Sequence, residues 1–199
     1  MARLLTSEEL KFVQRKPIEA ELSLQNLQLF YEEHLMNRTF EFELDEPSQP
    51  IIKLIFEADN FCHLIGFQHI FEDEQNATDY EGFFGYNKIK KCEVTMGTFK
   101  EPRIKTKYKN QRERILYFPF LYQLIKNPTV ILFSPENLNT KISTEFIFYN
   151  ALNNRYLHLG VDKHEGTNFY FPRTFFVRKN DDFLVGQTPV NVLQITEKL

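Results

Sequence analysis

Residues Asn168 to Arg178 read NFYFPRTFFVR, a run of aromatic and β-branched residues interrupted by Pro172, Arg173 and Thr174. Such a run reads as a strand, and apolar residues on both of its faces place that strand in the middle of a sheet. The Arg173 guanidinium cannot shed its charge, and burying it unpaired is costly. Arg173 is therefore expected over a cleft, a carboxylate or an anionic ligand, with a structural ion pair as the plain alternative. Pro172 has no N–H and marks an edge or a bulge, and bulges re-aim side chains. Strict alternation would set Arg173 and Thr174 on opposite faces. Both serve one site only if the strand bulges or twists sharply there.

Five histidines could move protons at neutral pH: His34, His63, His69, His158 and His164. His34 is expected on an exposed helix beside Glu32 and Glu33, and His164 in a turn. His63 lies in the helical segment FCHLIGF, where Gly66 costs a helix about 1 kcal/mol and points to close packing. A second charged feature runs from Lys100 to Arg114, with seven basic residues and two acids in a chain of net charge −3. Arg103, Lys105, Lys107 and Lys109 alternate with other residues. If that stretch is extended, the four cations share a face and could track a phosphate backbone. A solvated charged loop or edge strand is the alternative.

These residues need elements to hold them. Residues 7–36 read as helical, with a start near Ser7 and a second at Pro17, and with Leu22, Leu29, Phe30 and Leu35 as a broken apolar stripe. Arg38 to Leu44 alternates as a half-exposed strand, and Ile51 to Phe56 is another. A helix capped by Asp59 or Asn60 carries FCHLIGFQHIF. A further helix spans about 87–99, and one from about Asn110 to Lys126 kinks at Pro119. From Thr129 on, five strands follow: Val130–Phe133, Thr144–Tyr149, Tyr156–Val161, Phe169–Val177 and Val190–Thr196. Asn153-Asn154, Glu165-Gly166 and Asn180-Asp181-Asp182 supply turns between them. The expectation is an α+β fold, with N-terminal helices packed on an antiparallel meander sheet formed mainly by the C-terminal half. Residues 1–37 would be a helical extension and 38–199 one compact domain.

Composition narrows the function. A chain of 199 residues with 42% hydrophobic content suits one substantial core, packed with many of its 21 Phe. No window matches a membrane helix, and MARLLTSEEL lacks the apolar run of a signal peptide, so a cytoplasmic protein is expected. Cys62 and Cys92 have no zinc-ligand or CxxC spacing and read as free thiols. No Gly-rich phosphate loop, HExxH or EF-hand pattern occurs, so neither a metal nor a cofactor is expected.

FCHLIGF, then RILYFPFLYQLI, FYFPRTFFV and a final VNVLQI together resemble a phage and mobile-element branch of the barnase–EndoU–colicin E5/D–RelE (BECR) nuclease superfamily, over about residues 38–198. The resemblance implies helices over an antiparallel sheet and a toxin-like, metal-independent ribonuclease that binds RNA. It makes His63 a general acid or base. Arg173 would hold the scissile phosphate, Thr174 would hydrogen-bond it, and Arg178 could add a second cation. Arg103, Lys105, Lys107 and Lys109 would bind substrate. His158, Tyr170 or a lysine of the basic segment are candidates for the second acid or base. A cognate antitoxin or immunity protein is the implied partner.

The chemistry suits these residues, because the 2′-hydroxyl is an internal nucleophile that needs a base, an acid and cations rather than a metal. That reading predicts His63, Arg173 and Thr174 in one cleft. The alternative is a non-catalytic phage- or plasmid-encoded protein that binds a host protein or nucleic acid through a basic or Phe-rich patch. A nucleotide-using transferase ranks third, for want of a phosphate-cradling motif.

Overall fold

The computed structural model describes residues 2–136, 138–152 and 154–199. They form two compact units, each built from two stretches of chain: Met1–Met36 with Glu57–Tyr122, and Asn37–Phe56 with Gln123–Leu199. Asn153, assigned above to a turn, lies outside the described residues. No helix among them is long and apolar enough to cross a membrane.

The helical unit begins with α1 (Ser7–Lys11), where Thr6 and Glu9 form a reciprocal capping box. Pro17 does not start the second helix. The chain stays irregular apart from one tight turn at Glu19–Glu21, and α2 (Leu24–His34) starts where the Ser23 hydroxyl accepts from the Asn26 N–H at 3.0 Å. Leu29 faces outward and His34 is buried, the reverse of what was expected of each. The segment FCHLIGFQHIF is two helices, α3 (Ala58–Leu64) and α4 (Phe67–Ile70), because Gly66 between them adopts φ +73°. The next helix, α5 (Gly82–Lys90), lies earlier than expected, and Cys92 turns left-handed just beyond it.

The basic segment is helical, not extended. Pro102 occupies the first turn of α6 (Pro102–Tyr117), and Lys, Arg, Gln and Glu are good helix formers. A 3₁₀ turn at Phe118–Phe120 holds Pro119, and α7 (Leu121–Lys126) continues beyond that break. Phe rings fill the unit's core: Phe61 meets Tyr31 at 5.2 Å and Phe118 at 5.5 Å between ring centroids. Each fully buried ring contributes roughly 1.5–3 kcal/mol.

The sheet unit contains β1 (Thr39–Leu44), β2 (Ile51–Ile55), β3 (Thr129–Leu132), β4 (Phe146–Leu152), β5 (Arg155–Lys163), β6 (Phe169–Arg178), β7 (Thr188–Val190) and β8 (Val192–Lys198). Their order is β7-β3-β4-β5-β6-β2-β1-β8. β3 to β6 form the antiparallel meander expected from the sequence. Among the described residues, only the β2–β6 junction is parallel. The expected last strand is split at Asn191 into β7 and β8, which lie at opposite edges of the sheet. The sheet must therefore curl until those edges are one residue apart. Glu197 on β8 helps fix the seam, accepting from Arg38 at 2.5 Å and from Lys126 at 3.1 Å.

Candidate active site

His63 is the penultimate residue of α3, half-buried, with its Nδ1 2.7 Å from the Gln68 side-chain nitrogen. That amide donates to Nδ1 and leaves the proton of the neutral ring on Nε2. A half-turn of the amide presents its oxygen to an Nδ1–H instead and frees the Nε2 lone pair. Gln68 can thus orient either neutral tautomer, and its oxygen can equally accept from the Nδ1–H of the protonated ring.

The left-handed turn at Gly66 reverses the chain and brings α4 against His63, so that the His63 and His69 ring centroids lie 6.3 Å apart. His69 lies 3.7 Å from Glu72. Burial lowers the His69 pKa, and the nearby Arg114 lowers it further against the opposing pull of Glu72. His69 is therefore held neutral near pH 7, as a base must be.

His69, Glu72, Thr106, Lys107, Gln111 and Arg114 line a cavity of about 260 Å³ beside α6. Gly66 is needed here for its φ, and it is also closely packed by flexible side chains of α6. A Cβ on it would sit 2.6 Å from the Gln111 amide oxygen and 3.1 Å from Arg114 Cδ. Gly66→Ala should cost about 1–2 kcal/mol from left-handed strain alone. Urea denaturation would measure the loss, and an unchanged midpoint would refute this account of the turn.

The sheet unit holds the Pro-Arg-Thr interruption. β6 is central, between β5 and β2. Its register against β5 shifts so that Pro172 pairs with Val161 and Thr174 with Gly160, leaving Arg173 as the extra residue of a bulge. Arg173 lies 3.5 Å from Asp162, on the face to which Gly160 and Thr174 belong, so the bulge gives Arg173 and Thr174 a common face. Arg173 is 54% exposed, whereas Thr174 is buried with its methyl against Gly160. Arg178 lies further along the same face, with its guanidinium 5.1 Å from the Phe183 ring centroid and 5.8 Å from that of Phe176.

His158 stacks on Phe176 with centroids 4.5 Å apart and planes 1° from parallel. It is fully buried, and desolvation pushes its pKa down to about 4. Tyr170 is also fully buried and donates to Glu145 at 3.3 Å. Burial shuts both residues away from an approaching substrate.

The four predicted cations of α6 do not form a row, because a helix turns them to different sides. Arg103 contacts Glu74 and Glu101, and Lys107 contacts Glu72 and Asp73. Lys105 and Lys109 lie on the other side of the helix, where they line a separate cavity. From the sequence His69 is a plausible but undistinguished histidine, Arg114 is only one of the basic segment's cations, and Gln68 is given no role. The available signal was a pair of histidines six residues apart with a glycine between them.

No curated protein and no solved structure matches this chain. Residues 23–198, however, match a family of nuclease-like proteins, and they take in the Gly66 turn, the two histidines beside it and the bulged β6. The chain thus belongs to the phage-Barnase-EndoU-ColicinE5/D-RelE like nuclease 4 family.

Proposed function

We propose that this protein is a metal-independent endoribonuclease that cleaves RNA by attack of the 2′-hydroxyl on the adjacent phosphate. The observation that carries this reading is the pair of imidazoles 6.3 Å apart, one of which, His69, shares a cavity with Arg114, in a chain of a nuclease family. His69 accepts the 2′-hydroxyl proton. His63, when protonated, gives a proton to the departing 5′-oxygen, and Gln68 holds its ring. Arg114 and Lys107 lie where they oppose the charge that builds on the phosphorane. Bond making and breaking balance within the RNA strand: the 2′-oxygen–phosphorus bond replaces the 5′-oxygen–phosphorus bond, leaving a 2′,3′-cyclic phosphate. Arg173, exposed on the bulge, is a further cation for RNA phosphate, with Thr174 buried beside it in the strand.

Purified protein incubated with total RNA and tRNA in EDTA should produce fragments ending in 2′,3′-cyclic phosphate. Intact RNA, or fragments ending in 3′-hydroxyl, would contradict the mechanism. A second reading, a phage or mobile-element protein that binds a host protein or a cognate inhibitor, is favoured by Phe83 and Phe84. These α5 residues are 54% and 71% exposed.

A further inference from the structure

Helix α6 has pockets on two opposite sides. One holds His69, Lys107 and Arg114. The other is a cavity of about 470 Å³ lined by Lys100, Lys105, Lys109 and Arg112, above the stacked rings of Phe99 and Tyr108. The two sides treat their cations differently. On the histidine side Lys107 has two carboxylate partners, and its neighbour Arg103 also has two. On the opposite side Arg112 is held by Glu19, but Lys100, Lys105 and Lys109 form no ion pair among the described residues. Lys105 and Lys109 stand four residues apart on the helix, a spacing at which like charges repel. Three exposed ammonium groups surround one concavity whose single acid is already engaged, so its charge favours an oxyanion.

The floor narrows the ligand further. Phe99 is 1% exposed and Tyr108 6%, with centroids 4.7 Å apart, so neither ring face is open to stack a base. Recognition is left to charge. Resting on the ribonuclease reading, we propose that this pocket binds backbone phosphates of single-stranded RNA without regard to sequence, as a substrate-holding site on the side of α6 opposite the histidine pair. Salt should weaken such binding steeply, because each neutralised phosphate releases counterions.

The test separates binding from cleavage. The probe is a fluorescein-labelled, fully 2′-O-methylated RNA oligonucleotide, which has no free 2′-hydroxyl to attack phosphate. Anisotropy titrations in EDTA at several salt concentrations compare wild type with Lys100→Gln/Lys105→Gln/Lys109→Gln. The triple variant should lose roughly tenfold or more in affinity, and its log–log salt slope should fall by about 2. Lys88→Gln, which removes a cation outside both pockets that is already paired with Asp79 and Glu93, should keep most of the wild-type slope, and Lys→Arg at the three positions should restore binding. Circular dichroism checks that the variants fold. Equal affinity and slope for wild type and the Lys→Gln variant would overturn the proposal. So would displacement of the probe by low-millimolar inorganic phosphate or AMP, which would make the occupant a small free phosphate. Cleavage of unmodified RNA is measured in parallel. A protein that binds through these lysines but does not cleave retains the pocket and loses the ribonuclease reading. One that cleaves with an unchanged KM in the Lys→Gln variant retains the reaction and loses the pocket.

Discussion

His63→Ala and His69→Ala should each slow RNA cleavage by roughly 10²–10⁴-fold, the usual contribution of a positioned proton donor or acceptor. Both rings are half-exposed at the rim of the helical unit, so neither substitution empties a core site. Thermal unfolding should move little. Because the two act on one proton inventory, the double variant should be only slightly slower than the worse single variant. The pH profile distinguishes their roles. The acid limb reports the base, and with the His69 pKa lowered by burial and Arg114 that limb should lie on the acid side of the ordinary histidine value. In His69→Ala it should disappear. Single variants that cleave at the wild-type rate would remove the histidine pair from the mechanism.

The second large effect concerns stability. His158 titrates near 6.5 in the unfolded chain and near 4 when folded, because desolvation disfavours its charge. Above pH 6.5 both states carry a neutral ring, and the residue contributes no pH dependence. Between those two values the unfolded chain binds the extra proton, so stability falls as the pH falls, by a total of about 3 kcal/mol. Below about pH 4 the loss is complete. His158→Phe keeps a flat ring against Phe176 and removes the titration. Urea unfolding at pH 7 and again near pH 4 should show the wild type losing about 3 kcal/mol more than the variant across that interval. Parallel losses in the two proteins would refute this assignment.

Some of this arrangement could be read directly from residue types. Proline within an aromatic strand signals a bulge because it lacks a donor, and the β5–β6 register shift lies there. Phe, Tyr and Val at both parities marked β6 as central. The meander followed from short apolar runs between turn residues. Less legible was the segment from Arg103 to Lys109, whose alternating charges fit a strand and a helix equally well. Helix is favoured by Pro102 at the first turn and by Glu72 and Glu74, carboxylates some thirty residues away. Similarly, the two imidazoles approach one another because of the Gly66 turn, which a continuous-helix reading of FCHLIGFQHIF conceals. The parallel β2–β6 contact joins segments more than a hundred residues apart and has no local signature.

The pairing of β1 with β8 carries a consequence for how the sheet unit assembles. Arg38 and Glu197 meet across 159 residues of chain, and every β1–β8 hydrogen bond closes a loop of similar length. Contacts so distant in sequence are entropically slow to form. While synthesis is under way, β3 to β6 can zip into their meander, but β1 keeps an unpaired edge until β8 has been made. That edge, bearing Phe40 and Phe42, can pair with the wrong chain in the interval. Yield from refolding should therefore depend on protein concentration more than native stability alone would suggest.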